Sequence, residues 1–359
     1  MSIIKVKGRG AENFGRRNLV INGAIQVSQR YGTAATQATN SAYSGPDRWR
    51  FFVNGGGAYT VTQDSGHQAD TGHDKALKIA VTTADTSIAA GDYYTFLTRL
   101  ESNSLQHLQY GTSSAKSLTL SFWVRATKTG TQAVFFSKQG TGTDYNHIKE
   151  YTINASNTWE HKTITIPGLT ASTMANDNST YLQFGFMLKY GSNFQGTKDT
   201  WTTNGHFTTA NAVNNMDSTS NTFYVTGVQL EVGDTATDFE HRSYGEELAL
   251  CQRYFQKTST AGAAYANICV VINYSTGTDQ RGVIPFTNEM RVGPAISSEG
   301  NITILGLGGG LASINAGDGA STHHAGIRFN SNSNISTGQG ALVRCNNDTT
   351  ANIKFDSEL

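Results

Sequence analysis

Between Asn18 and Gly233 the chain places apolar residues at a period of two in one short segment after another. No helical period intervenes. The segments are LVINGAIQV, RWRFFV, YTVTQ, ALKIAVT, YYTFLTRLE, LTLSFWVRA, AVFFSK, IKEYTI, WEHKTITI, YLQFGFMLKY and FYVTGVQLEV. Successive side chains of a strand point to opposite faces, so this period is the mark of strands covered on one side by a core. So many short strands joined by polar turns predict an all-β sandwich or barrel. In SLTLSFWVRA, Leu118, Leu120, Phe122 and Val124 share one face, which leaves Trp123 on the other. Leu182, Phe184, Phe186 and Leu188 form a second such face. In the last segment Phe223 and Val225 are out of phase with Val228, Leu230 and Val232, and Gly227 at the break predicts a β-bulge.

The pattern changes after Gly233. Ser243 and Glu246 make an S-x-x-E capping box, and Leu248, Cys251 and Tyr254 recur at helical spacing. One short helix over 243–257 is therefore expected as a linker, its apolar face docked on the preceding sheet. Beyond it, NICVVINYS, GVIPFTN, NITILGL, GIRFNS, ALVRCNN and ANIKFD predict a second, smaller β domain over 258–359. Gly306 and Gly308 to Gly310 suit close backbone approach around a symmetry axis. Glycine is abundant and proline scarce, 38 against 4, which fits strands joined by turns.

Charge narrows the partners. The 27 basic and 27 acidic side chains cancel, so nothing general favours nucleic acid or an anionic membrane. Residues 1–17 are the exception: Lys5, Lys7, Arg9, Arg16 and Arg17 face only Glu12 in a glycine-broken segment. Such a segment folds poorly alone and suits an arm that orders on a partner protein. Cys251, Cys269 and Cys345 show no C-x-x-C spacing, so free thiols and a reducing compartment are expected. No long apolar run or signal-peptide core is present, so neither membrane insertion nor export by a leader is expected.

Motifs for catalysis are missing: there is no G-x-S-x-G, Walker loop, dinucleotide fingerprint or H-E-x-x-H. His323 and His324 are adjacent but lack partners at zinc spacing, so no metal site is expected. Glu101, Asp144, Glu150, Asp217 and Glu231 are acids that a glycosidase could pair, yet their spacing selects none of them. The expected activity is binding, without catalysis. The long polar connection from Tyr190 to Thr222 carries Phe194, Trp201, His206 and Phe207, and loops of that length are usually functional or disordered. Aromatic rings complement the C–H-rich faces of sugars, while amides and carboxylates bond the hydroxyls. The candidate ligand site is therefore Trp201, Tyr190 and Tyr145 for stacking, with Asn204, Asp199 and Asn146 for hydrogen bonds.

Five pieces in order resemble one family. NLVINGAIQVSQR (Asn18 to Arg30) followed by DRWRFF, then the strand ending in Glu231 and Gly233 before a helix, then IPFTNEMRVGP and the terminal DSEL, resemble the tail fibres and related surface proteins of bacteriophages. The usual Ala of the terminal motif is Ser357 here. The resemblance implies a jelly-roll β-sandwich over 18–242, like that of carbohydrate-binding modules, and a non-enzymatic virion protein. It implies a homotrimer that adheres through its loops to host polysaccharide or protein, the arm holding it to other virion proteins. A capsid-decorating fibre or a tail or neck adaptor without receptor binding is the alternative. No cofactor is expected, apart from a structural calcium that Glu231 could hold with backbone carbonyls, as carbohydrate-binding jelly rolls often do. Asp47 and Arg48 read as a structural corner beside a core Trp49.

Overall fold

The computed structural model describes residues 17–359, except 141, 259–261, 276, 306–310 and 316–318. Lys5, Lys7, Arg9 and Arg16 of the basic arm, and the glycines at 306 and 308–310, lie outside the described residues. The chain divides into two units, 1–243 and 244–359.

Alternation becomes two antiparallel sheets in the first unit. Its strands are β1 (Thr36–Gln37), β2 (Arg50–Asn54), β3 (Ala58–Ser65), β4 (Lys75–Thr83), β5 (Tyr93–Glu101), β6 (Leu118–Ala126), β7 (Gly130–Lys138), β8 (Tyr145–Ile153), β9 (Glu160–Ile166), β10 (Thr180–Tyr190), β11 (Trp201–Thr202) and β12 (Thr222–Val232). One sheet has the order β1-β3-β4-β12-β6-β9 and the other β11-β8-β7-β10-β5-β2. The chain crosses repeatedly from one sheet to the other, and the result is a jelly-roll sandwich. The expected inward faces meet in one core: Leu120, Phe122, Phe184, Phe186 and Val225 are fully buried there. Trp49 packs at its centre, 5.9 Å from Phe96 and 6.2 Å from Phe186 between ring centroids. Trp123 stays half-buried on the far side of its sheet, beside His161. The bulge falls where expected: the β12–β6 register slips between Thr226 and Gln229, and Gly227 takes φ +58°. A Cβ at Gly227 would come within 2.6 Å of the His73 ring.

The first predicted strand is a correction. Leu19 to Val27 forms turns, because two buried asparagines replace the ladder with side-chain bonds. Asn18 donates through Nδ2 to the Val228 carbonyl, and its Oδ1 accepts the Val20 and Leu230 amides. Asn22, at φ +61°, donates to the Val27 and Asp47 carbonyls and accepts the Val27 amide. Trp49 Nε1 donates to the Asn22 carbonyl, so the N-L-x-x-N-G and D-R-W segments lock one another. Asp47 in turn accepts from the amide and side chain of Gln29.

Entry and exit of this unit are clasped together. Glu240 accepts the backbone amides of Arg17 and Asn18, Arg17 donates to the Asp238 carbonyl, and Arg242 donates to the Val20 carbonyl. Burial would raise the Glu240 carboxyl, but the two amides and Arg242 outweigh it and hold the group low. Arg17 therefore joins the sandwich rather than a free arm. Cys251, Cys269 and Cys345 are free thiols. Short elements that periodicity did not announce include a helix, α1 (Gln68–Thr71), and a 3-10 turn at Ser102–Leu108.

The second unit opens with helix α2 (Tyr244–Gln252), which packs beside β13 (Phe255–Lys257). The helix thus belongs to this unit and is not a separate linker. β13, β16 (Ala295–Glu299) and β21 (Asn352–Asp356) form one sheet. β14 (Asn267–Asn273), β15 (Gly277–Pro285), β17 (Ile302–Leu305), β18 (Leu311–Asn315), β19 (His324–Ile335) and β20 (Gly340–Cys345) form another, in the order β17-β20-β14-β15-β19-β18. The M-R and D-S-E-L segments meet: Arg291 donates to the Ser357 and Glu358 carbonyls, and the Ser357 hydroxyl donates to the Arg253 carbonyl. Among the described residues, no helix is long and apolar enough to cross a membrane.

Candidate functional site

Several strands of the second sandwich sheet carry apolar residues on both faces. Phe51 and Phe52, Tyr93 and Tyr94, Phe96 and Leu97, and Phe135 and Phe136 are adjacent pairs, so one member of each points into the core and the other away from it. Pairing then gathers the outward members. Phe52 lies opposite Thr95, and Thr95 opposite Met187. Leu97 lies opposite Gly185, and Gly185 opposite Phe135. The glycine leaves room at the middle: a Cβ there would sit 2.7 Å from the Phe135 ring and 2.8 Å from Leu97 Cβ.

The connection after β10 folds back over this face as a roof. Phe207 packs 5.0 Å from Phe135 and 5.7 Å from Tyr190, and Phe194 packs 5.7 Å from Tyr93. Glu150 on β8 ties the roof down by accepting Lys198 Nζ at 2.5 Å, Thr209 Oγ1 at 2.5 Å and Asn211 Nδ2 at 3.2 Å. Burial pushes the Glu150 carboxyl up, yet those three donors prevail and keep it below its ordinary range. Between roof and sheet lies a cavity of about 210 Å³, lined by Phe52, Tyr93, Phe135, Tyr190, Phe194 and Phe207, with Thr95, Leu97, Arg99 and Gln183 completing it. Polar groups cluster at one side, where Arg99 Nε donates to Gln183 Oε1 at 3.0 Å. Burial, together with Tyr93 nearby, raises the Tyr190 hydroxyl far above its ordinary value against a hydrogen bond with Thr95, so it stays protonated. Such a cavity is smaller than a drug-sized pocket of roughly 300–1,000 Å³ and suits one ring of a longer molecule.

The residues singled out in the sequence fall in two places. Tyr190 lines the cavity. Trp201, expected in a loop, forms edge strand β11 against β8, with its Nε1 donating to the Pro167 carbonyl and its ring against the sandwich core. Tyr145 also packs on that core. Asn146 is buried on β8, Asp199 is paired with Lys149 at 2.7 Å, and Asn204 accepts a bond from Thr202. Lys149 pulls the Asp199 carboxyl below its ordinary value. Only Tyr190 and the roof rings Phe194 and Phe207 thus belong to the cleft. Phe52, Tyr93, Phe135, Arg99 and Gln183 were missed, although the aromatic doublets announced apolar residues on both faces. Glu231 is buried and its oxygens accept the Thr237 amide and hydroxyl and Gln229 Nε2, so it pins the turn after β12. Among the described residues no three His, Cys, Asp or Glu side chains gather as a metal site.

The sequence matches no protein-family model and no curated protein. Solved structures do resemble the chain. One is the enzymatically active domain of tailspike protein 4 from bacteriophage CBA120, 12% identical with a TM-score of 0.30, the match covering 60% of this chain and 21% of that one. Another is a sugar-binding protein, so described provisionally, from Bacteroides thetaiotaomicron, 12% identical with a TM-score of 0.34, covering 60% of this chain and 100% of that one. A third is the CBM22-2 xylan-binding domain from Paenibacillus barcinonensis, 16% identical with a TM-score of 0.30, covering 56% and 99%. This chain therefore spans about a fifth of the tailspike chain and nearly all of the other two.

Proposed function

We propose that the first unit binds a saccharide, seating one sugar ring in the cleft under Phe194 and Phe207. The observation that carries this reading is the cleft itself: an aromatic box on the outer face of a sheet, with an amide and a guanidinium on one side. Apolar sugar faces would lie on the half-buried rings of Phe194 and Phe207, over a floor closed by Phe135, and hydroxyls would meet Gln183 and Arg99. The reading is of binding rather than turnover, since glycoside hydrolysis uses paired carboxylates and the cleft groups are aromatic, amide and guanidinium. The ordered motifs from Asn18 to Leu359 support a bacteriophage appendage adhering to a host surface glycan. Residues 1–16 would then attach it to other virion proteins.

A printed glycan array finds the sugar, and titration calorimetry with the best hit measures it. Phe207→Ala should weaken that binding about tenfold, which corresponds to ~1.4 kcal/mol. Trp201→Ala should leave it unchanged wherever the variant folds. Unaltered affinity in Phe207→Ala and Phe135→Ala alike would remove the cleft from the account. For the virion role, deletion of residues 1–16, which spares the Arg17 clasp, should abolish incorporation into particles, and normal incorporation would sink the anchoring idea.

A further inference from the structure

Because Val124 and Ala126 of β6 fill the core, Arg125 between them must leave the first sheet on its outer face. Phe223 and Val225 do the same for Tyr224 on β12, and the register sets Tyr224 opposite Arg125. The guanidinium lies 4.0 Å from the Tyr224 ring centre and 5.1 Å from that of Trp159, two rings whose planes meet at 68°. Stacking of this kind fixes the plane of the group but uses none of its N–H donors. The connection from β8 to β9 brings further polar groups. Ser156 Oγ donates to the Thr127 carbonyl and the Asn157 amide to that of Ala126, which pins this turn, with Asn157 at φ +56°, against the end of β6. Helix α1 adds Asp70. Together Asp70, Arg125, Asn157, Thr158 and Trp159 line a hollow of about 270 Å³. Among the described residues, no protein group hydrogen-bonds the side chain of Arg125, Asn157 or Asp70.

We infer that this hollow is a second ligand site and that it takes a sugar acid, a saccharide ring bearing a carboxylate. A guanidinium held in one plane with its donors unspent matches a carboxylate bidentately. Asn157 and Asp70 suit hydroxyls, since an amide both donates and accepts and a carboxylate accepts. Charge selects this occupant over simpler ones. A neutral sugar would leave Arg125 without an anion, whereas an inorganic anion would meet the Asp70 charge and bring it no donor. A sugar acid answers both groups, with its carboxylate on Arg125 and its hydroxyls on Asp70 and Asn157. The hollow lies on the first sheet and the cleft under Phe194 and Phe207 on the second, so this site stands whether or not that cleft binds sugar.

Titration calorimetry of the full chain with trisaccharides of galacturonate, glucuronate and mannuronate tests it, beside a neutral trisaccharide, acetate and glycine. One uronate should bind, less tightly as salt rises from about 0.05 to 0.5 M, and Arg125→Gln should weaken it at least about tenfold. Should loss of the stacked guanidinium prevent folding, Asn157→Asp sets a like charge beside the site on an exposed turn and should still weaken the uronate. Failure of every uronate to bind overturns the inference, as does a uronate indifferent to both substitutions. Acetate or glycine binding as tightly as the uronate removes the sugar from the account. Loss of uronate binding in Phe207→Ala would assign it to the cleft and likewise overturn the second site.

Discussion

Asn22 is a small residue with a large responsibility, since its side chain closes two carbonyls and one amide while its backbone accepts the indole of Trp49. Replacing it with alanine strands those buried groups and places a Cβ residue without side-chain compensation at φ +61°. Asn22→Ala should cost about 2–4 kcal/mol, read as a lowered urea midpoint with unchanged slope. Gly185 makes the converse case. Its missing side chain admits the Phe135 ring, so Gly185→Ala should cost about 1–3 kcal/mol and distort the cleft floor. Loss of sugar affinity larger than the loss of stability would be the signature of that distortion.

Among the elements, the roof over the second sheet is held by the two residues of β11, by a bridge between Gln195 and Thr208, and by Glu150, which gathers Lys198, Thr209 and Asn211. Glu150→Gln keeps the shape but removes the charge that three donors share. Hydrogen exchange should then quicken across 194–211 while the sandwich strands stay protected. The same comparison shows where sequence reading succeeds. Ten of the eleven segments from Asn18 to Gly233 became strands, because half-burial imposes a period of two that survives any topology. Leu19 to Val27 failed since its polar partners, Val228 and Leu230, arrive about 210 residues later and no local pattern encodes them. Trp201 misled for a related reason: a tryptophan in a polar stretch signals a ligand platform only if nothing else in the fold claims it, and the Pro167 carbonyl does. The cleft was legible only in part, through the doublets at 51–52, 93–94 and 135–136, because a second apolar face looks like extra core until the roof above it is known.

For the whole molecule, acid sensitivity should be governed first by histidines and only later by carboxylates. Burial, then the neighbouring His241 and His161, lowers His73 to about 4, and burial with Lys149 lowers His147 to about 4, against Asp199. Both ring nitrogens of His147 lack a protein partner. In the unfolded chain both histidines titrate near 6.5, so between about 6.5 and 4 the unfolded state binds protons that the folded state refuses. Their contribution is complete above 6.5 and is lost as pH falls through 4. Thermal melts should show stability declining by about 1–3 kcal/mol per histidine across that window, and His147→Gln should flatten the decline. A profile flat from pH 7 to 4.5 would show that neither ring is held neutral.

The clasp at Glu240 and Arg242 has a mechanical meaning. Because the chain enters the first unit at Arg17 and leaves it beside the same carboxylate, tension applied along the chain runs from one end to the other through a few hydrogen bonds. The sandwich hangs from that line as a pendant rather than lying in it as a link. Arg17 meets residues 238 and 240 while Val20 meets Arg242, so the two segments run the same way and a pull would load the clasp's bonds together, in shear, before the jelly roll and its cleft carry load.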